Sequence, residues 1–162
     1  MIFFVDEDFH LYDPWIEKMR QKDYAVEPLW NANHAYRRLH AQPREDVELT
    51  IIDVMLAVGG MLDAEHEQFS YVRTQGYLET GLRLLDDLVR ANPRVYPKRA
   101  VLLTNAFGKE TLTAAQETRD RYGIELWAKS SFVGEEGAQE FADRVDDLIQ
   151  RLRDEADDDD AA

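Results

Sequence analysis

Four short apolar runs, each closing on a polar residue, set the pattern of the chain. Ile2-Phe3-Phe4-Val5 runs into Asp6-Glu7-Asp8, and Leu49-Thr50-Ile51-Ile52 into Asp53. Val101-Leu102-Leu103 runs into Thr104, and Ile124-Glu125-Leu126-Trp127-Ala128 into Lys129. Runs this short, rich in β-prone residues, read as buried strands. The third strand is predicted over 46–53, the fourth over 100–104 and the fifth over 124–129. A second strand is predicted over 24–29. Pro28 near its end marks it as an edge strand, because proline cannot donate to a central ladder.

Between these runs the apolar period becomes helical. Asp13-Pro14 is a helix start, with an acid at the cap and proline at the first helical position. Ile16 and Met19 follow on the buried side. Asn31 or Asn33 caps a second helix with Ala35 and Leu39 inward, ended by Gln42-Pro43. Leu82, Leu85, Leu88 and Val89 define a third, closed by Asn92-Pro93. A fourth is predicted over 109–121 and stopped by Gly123. Phe141, Val145, Leu148, Ile149 and Leu152 form the apolar stripe of the last.

Strands alternating with helices predict right-handed βαβ units around a parallel sheet. Five of each predict an α/β, flavodoxin-like, doubly wound sheet with strand order 2-1-3-4-5. The chain of 162 residues then forms one domain over 1–153. Residues 58–79 are an insertion between the third strand and its helix, far longer than the usual βα loop of about 2–6 residues. A helical piece is expected near 62–73, and Gly59-Gly60 reads as a turn. The acidic end, 154–162, is expected to be a disordered tail.

The net charge of -14 changes the picture of partners. Even without the six acids of 154–160 the remainder carries about -8, which disfavours direct nucleic-acid binding. There is no cysteine, so disulfide frameworks and thiolate metal sites are excluded. No apolar run approaches the roughly 20 residues needed to span a bilayer, and no secretory signal is visible. A cytoplasmic protein without membrane partners is expected. The four histidines lack metal-ligand spacing and read as surface residues.

In an open parallel sheet, ligands bind outside the carboxyl ends of the strands. The predicted sheet therefore gathers Asp6, Glu7, Asp53, Thr104 and Lys129 at one edge. Carboxylates, a hydroxyl and an ammonium suit a divalent metal and a phosphoryl group. In that order and on those strands, Val5-Asp6-Glu7-Asp8, Ile52-Asp53-Val54-Met55-Leu56, Leu103-Thr104 and Lys129 resemble the receiver domain of two-component response regulators, over nearly the whole chain. The resemblance implies phosphotransfer to Asp53 from a sensor histidine kinase or phosphotransfer protein. It implies Mg²⁺ (or Mn²⁺) held by Asp6, Glu7, Asp53 and the Met55 backbone carbonyl. It gives Lys129 and Thr104 the role of binding phosphoryl oxygens. It also implies signalling through contacts with a downstream protein rather than enzymatic turnover. A homodimer would use the flanks of the last helix.

The chain departs from the family pattern at several positions. Ser130 follows the lysine in place of a proline, Leu126 stands at the aromatic switch position, Asn105 follows Thr104, and Ala57 replaces a proline. The altered Lys129-Ser130 turn and the 58–79 insertion support a second reading, a degenerate receiver used as an interaction module without phosphorylation; the intact acid, hydroxyl and lysine set speaks against it. A third reading is a haloacid-dehalogenase-like phosphatase built on the D-x-D spacing of Asp6-Glu7-Asp8. That reading leaves Asp53 unexplained.

Overall fold

The computed structural model describes residues 1–59, 69, 73–105 and 108–161, with side chains to residue 156. The elements alternate as β1 (Ile2–Val5), α1 (Asp13–Gln21), β2 (Val26–Leu29), α2 (Ala32–Leu39) and β3 (Leu49–Asp53). Then come α3 (Thr80–Ala91), β4 (Ala100–Thr104), α4 (Lys109–Tyr122), β5 (Glu125–Ala128) and α5 (Gly134–Ala161). All strand pairs are parallel and the order is β2-β1-β3-β4-β5, as the alternation predicts. Pro28 lies in the edge strand β2, where its missing N–H removes no interior ladder bond.

Every residue of β1, β3 and β4 is buried, because helices cover both faces of the sheet. Alternate residues serve different layers. Phe3, Val5, Ile52 and Leu102 pack with Leu39, Leu85, Leu88 and Ala115 of α2, α3 and α4. Phe4, Ile51, Leu103 and Trp127 pack with Trp15, Met19, Phe141 and Val145 of α1 and α5. The predicted stripe of the last helix is therefore core: Phe141, Val145, Leu148 and Ile149 are buried.

Several boundaries differ from expectation for local reasons. Short 3-10 turns at Arg44–Asp46 and Lys129–Ser131 shorten the third and fifth strands. Asp13 is the first residue of α1 rather than its cap, because a 3-10 turn at Phe9–Tyr12 leads into the helix. Asn31 caps α2 as expected, its side chain accepting from the His34 backbone N–H at 2.8 Å. The expectation of a disordered end after residue 153 also differs from the structure. Helix α5 runs on to Ala161, since no glycine or proline follows Gly137 to stop it.

Apart from Phe69 and Arg73, the helix expected near 62–73 lies outside the described residues, as does Gly60. Within 58–79, Phe69 is buried in the α2–α4 layer. Arg73 forms two hydrogen bonds to the Asp87 carboxylate, at 2.9 and 2.6 Å, tying this segment to α3. Among the described residues no helix is long and apolar enough to cross a membrane.

Candidate functional site

Register brings the candidate groups to one edge. Val5 pairs with Ile52, so Asp6 and Asp53 lie at the same height one residue later. Asp53 pairs with Leu103, and Thr104 pairs with Ala128, so Thr104 and Lys129 follow at the next two steps. Strands that end in register therefore deliver an acid, a second acid, a hydroxyl and an ammonium to the carboxyl edge.

Four of these side chains are withdrawn from water: Asp6 is 1%, Asp53 5%, Thr104 4% and Lys129 6% exposed. The Lys129 Nζ donates to Asp6 Oδ2 at 2.6 Å and stands 3.2 Å from Asp53 Oδ2. One ammonium thus bridges two carboxylates contributed by different strands. Asp6 Oδ1 accepts the Asp8 backbone N–H at 2.9 Å, which fixes the carboxylate plane. The Met55 backbone N–H donates to Asp53. Of the other expected ligands, Glu7 is exposed and Met55 is half-buried; Asp8, beside Glu7, is exposed too. Among the described residues no three carboxylates or imidazoles already form a metal-binding group.

The electrostatics follow from this burial. Burial pushes Asp53 up to about 7; Lys129 opposes the rise and Asp6 adds to it. Burial acts to lower Lys129, but Asp53 and Asp6 outweigh it and hold the ammonium above its ordinary range. Glu7 is raised by partial burial and then by its neighbours Asp8 and Asp6, with Lys129 opposing. The edge is crowded with negative charge that one lysine only partly offsets.

The Lys129–Ser130 bond is trans. The chain turns through the 3-10 segment Lys129–Ser131, closed by the Phe132 N–H on the Lys129 carbonyl at 3.1 Å. Trp127 is buried on the α1/α5 side, and Leu126 packs against the α2–α4 layer. Asn105 is exposed and lines a groove of about 880 Å³ together with Tyr12, Trp15, Lys129 and Phe132.

Two contributors escaped the sequence reading. Gly81, in the first turn of α3, lies against the Asp53 backbone. A Cβ there would stand 1.9 Å from the Asp53 carbonyl oxygen. A glycine inside a helical pattern is the signal that marks such a close approach. Tyr12 places its ring 4.7 Å from the Lys129 Nζ. No local signal distinguishes it from other aromatics.

No protein-family model matches the sequence, and a search of curated proteins finds no relative. Solved structures do show the fold. The chain is similar to a response regulator receiver domain protein (CheY-like) from Methanospirillum hungatei JF-1, with TM-score 0.62 and 14% identity over 95% of this chain and 96% of that one. It is similar to the receiver domain of NtrX from Brucella abortus, with TM-score 0.56 and 19% identity over 94% and 97%. A response regulator from Burkholderia pseudomallei, solved with a phosphorylated aspartic acid, a calcium ion and citrate, matches with TM-score 0.52 and 18% identity over 90% and 69%. The fold is that of CheY-like receiver domains.

Proposed function

We propose that this chain is a phospho-accepting receiver in which Asp53 takes a phosphoryl group from a histidine kinase or phosphotransfer protein and passes the signal on through protein contacts. The observation that carries this reading is the Lys129 ammonium joined to both Asp6 and Asp53 at the buried strand edge. A carboxylate oxygen of Asp53 attacks phosphorus. The bond from phosphorus to the donor's leaving atom breaks, and its electron pair departs with the donor. Lys129 then turns from Asp53 to an oxygen of the transferred group, and the Thr104 hydroxyl donates to another. Such transfer needs mainly positioning and charge neutralisation, which these residues supply.

The donor set fits a hard divalent cation. The expected ligands are all oxygens; burial is the main cause that raises Glu7 and Asp53, and neighbouring carboxylates add a repulsion that a dication relieves. Asp6, Glu7, Asp53 and the Met55 carbonyl would hold Mg²⁺ or Mn²⁺, which when bound supplies charge neutralisation at the phosphoryl oxygens. Mg²⁺ is expected to raise the melting temperature of the wild type, and Glu7→Gln to weaken that effect by about tenfold in metal concentration. An unchanged titration in Glu7→Gln would assign the third carboxylate elsewhere.

Incubation with acetyl phosphate and Mg²⁺ is expected to add one phosphoryl group by intact mass, and Asp53→Asn to abolish it. The phosphorylation-independent module is supported by one observation, that Ser130 follows Lys129 and the chain turns there through the 3-10 segment Lys129–Ser131. Failure of the wild type to label with small donors and with kinases would establish that second reading. The phosphatase reading requires Asp8 to act beside Asp6. Here Asp8 is exposed and meets Asp6 through its backbone N–H.

A further inference from the structure

The Lys129 ammonium has three N–H donors. One is spent on Asp6 Oδ2 at 2.6 Å and a second faces Asp53 Oδ2 at 3.2 Å. Another side of the ammonium faces the ring of Tyr12, whose centroid is 4.7 Å from Nζ. That distance is within the reach of a cation–π contact, about 6 Å. The ring is itself held. Trp15 packs on it with centroids 4.6 Å apart, and Phe4 lies 6.1 Å away in the α1/α5 core. Tyr12 belongs to the 3-10 turn Phe9–Tyr12, which follows directly from the acidic end of β1. The turn thus swings an aromatic face back over a lysine 117 positions later, where the 880 Å³ groove reaches Lys129.

We propose that Tyr12 is a positioning residue for Lys129, and that its ring face holds the ammonium in place as the lysine moves from the Asp53 carboxylate to a phosphoryl oxygen. This rests on the reading of Asp53 as the acceptor. A lysine stem of four methylenes is flexible, and the transfer requires one N–H to leave Asp53 Oδ2 for an oxygen of the transferred group. Asp6 and the ring keep the other two directions fixed while that change occurs. A ring face attracts the cation without the full negative charge of a carboxylate, which would compete with the phosphoryl group. An aromatic residue therefore serves here where a third carboxylate would hold the lysine back. The same contact acts in both directions. Lys129 neutralises charge on the phosphoryl group when it arrives and again when water attacks phosphorus; the P–O bond to Asp53 then breaks, its electron pair returns to the carboxylate, and the water's proton leaves on the inorganic phosphate.

The experiment measures acetyl-phosphate labelling and subsequent hydrolysis in the full chain. Tyr12→Leu is expected to slow both by about five- to tenfold, with the acetyl-phosphate concentration at half-maximal rate unchanged. Tyr12→Phe, which keeps the ring face, is expected to restore both rates. Where Tyr12→Leu fails to fold, phenylalanines of increasing fluorination at position 12 replace it. They keep the shape and drain the ring's negative face, so the rates should fall with each fluorine. The Lys129 ammonium protons supply a readout independent of phosphorylation: a ring-current shift and slow solvent exchange in the wild type, both lost in Tyr12→Leu. Rates in Tyr12→Leu or in the fluorinated series equal to wild type would overturn the proposal, as would a Tyr12→Phe protein as slow as Tyr12→Leu. A wild type that shows the ammonium signature but never labels would overturn the acceptor reading instead, and with it the role of Tyr12 in transfer.

Discussion

Lys129→Met is expected to lower the unfolding free energy by about 3–5 kcal/mol at pH 8 without divalent cations, read as a melting temperature reduced by about 10 °C. The substitution keeps most of the side-chain volume, so the loss is electrostatic. Asp6 and Asp53 are almost wholly withdrawn from water, and the ammonium is the cation that touches both. Removing it leaves two buried carboxylates facing each other.

Acid should soften that loss, and its sign is fixed by Asp53. The folded value of about 7 lies above the ordinary 3.8, so the folded protein holds this proton more tightly than the unfolded chain. The associated stability is complete below about 3.8 and declines as pH rises through about 7. Without Lys129 the carboxyl is raised further. The deficit of the variant is therefore smaller at pH 5 than at pH 8. A variant as stable as wild type across that range would show that the buried pair is solvated in a way the geometry does not allow.

Gly81→Ala is expected to cost about 3 kcal/mol or more, the severe end of overpacking, and to impair phosphoryl labelling of whatever folded protein remains. The added Cβ meets the Asp53 carbonyl oxygen at 1.9 Å, its carbonyl carbon at 2.8 Å and the Val54 Cα at 3.0 Å. These are backbone atoms of the strand that carries Asp53, and they cannot swing aside. The Gly81 N–H also bonds to the Val54 carbonyl at 2.9 Å, so the first turn of α3 is fastened to the strand it crowds. Relief requires α3 or the end of β3 to move, and either displaces Asp53. Gly108→Ala is the control. Its φ of +76° carries the strain of a side chain in the left-handed region, about 1–2 kcal/mol, but among the described residues nothing lies within 4 Å of the added carbon. Equal melting temperatures for the two variants would refute the account of close approach.

The chain also shows what a linear pattern carries and what it cannot. Apolar runs of three to five residues closed by Asp6, Asp53, Thr104 and Lys129 were enough to define parallel strands, their order and the edge at which the polar groups meet. In a parallel sheet with aligned ends, the residue after each run emerges at one height whatever the rest of the chain does. The helices were equally legible, because Leu82-Leu85-Leu88 and Phe141-Val145-Leu148 repeat with the period of a helix face. Terminal details were not. The 3-10 turns before α1 and after β5, and the continuation of α5 through the acidic end, depend on contacts and stop signals that hydrophobic period does not encode.

Tertiary structure alone decided how the gathered groups interact. That one ammonium reaches both carboxylates, that Asp53 is raised to about 7 by burial, and that Tyr12 covers the lysine all join residues tens of positions apart or more. Such distances and burial arise only when separate strands and loops pack together, and a residue's identity says nothing of the dielectric around it. The sequence by itself determined which chemical groups stand at the sheet edge. Packing determined which of them are dry, which are paired, and which aromatic ring faces the charge, because those are properties of contacts between distant segments.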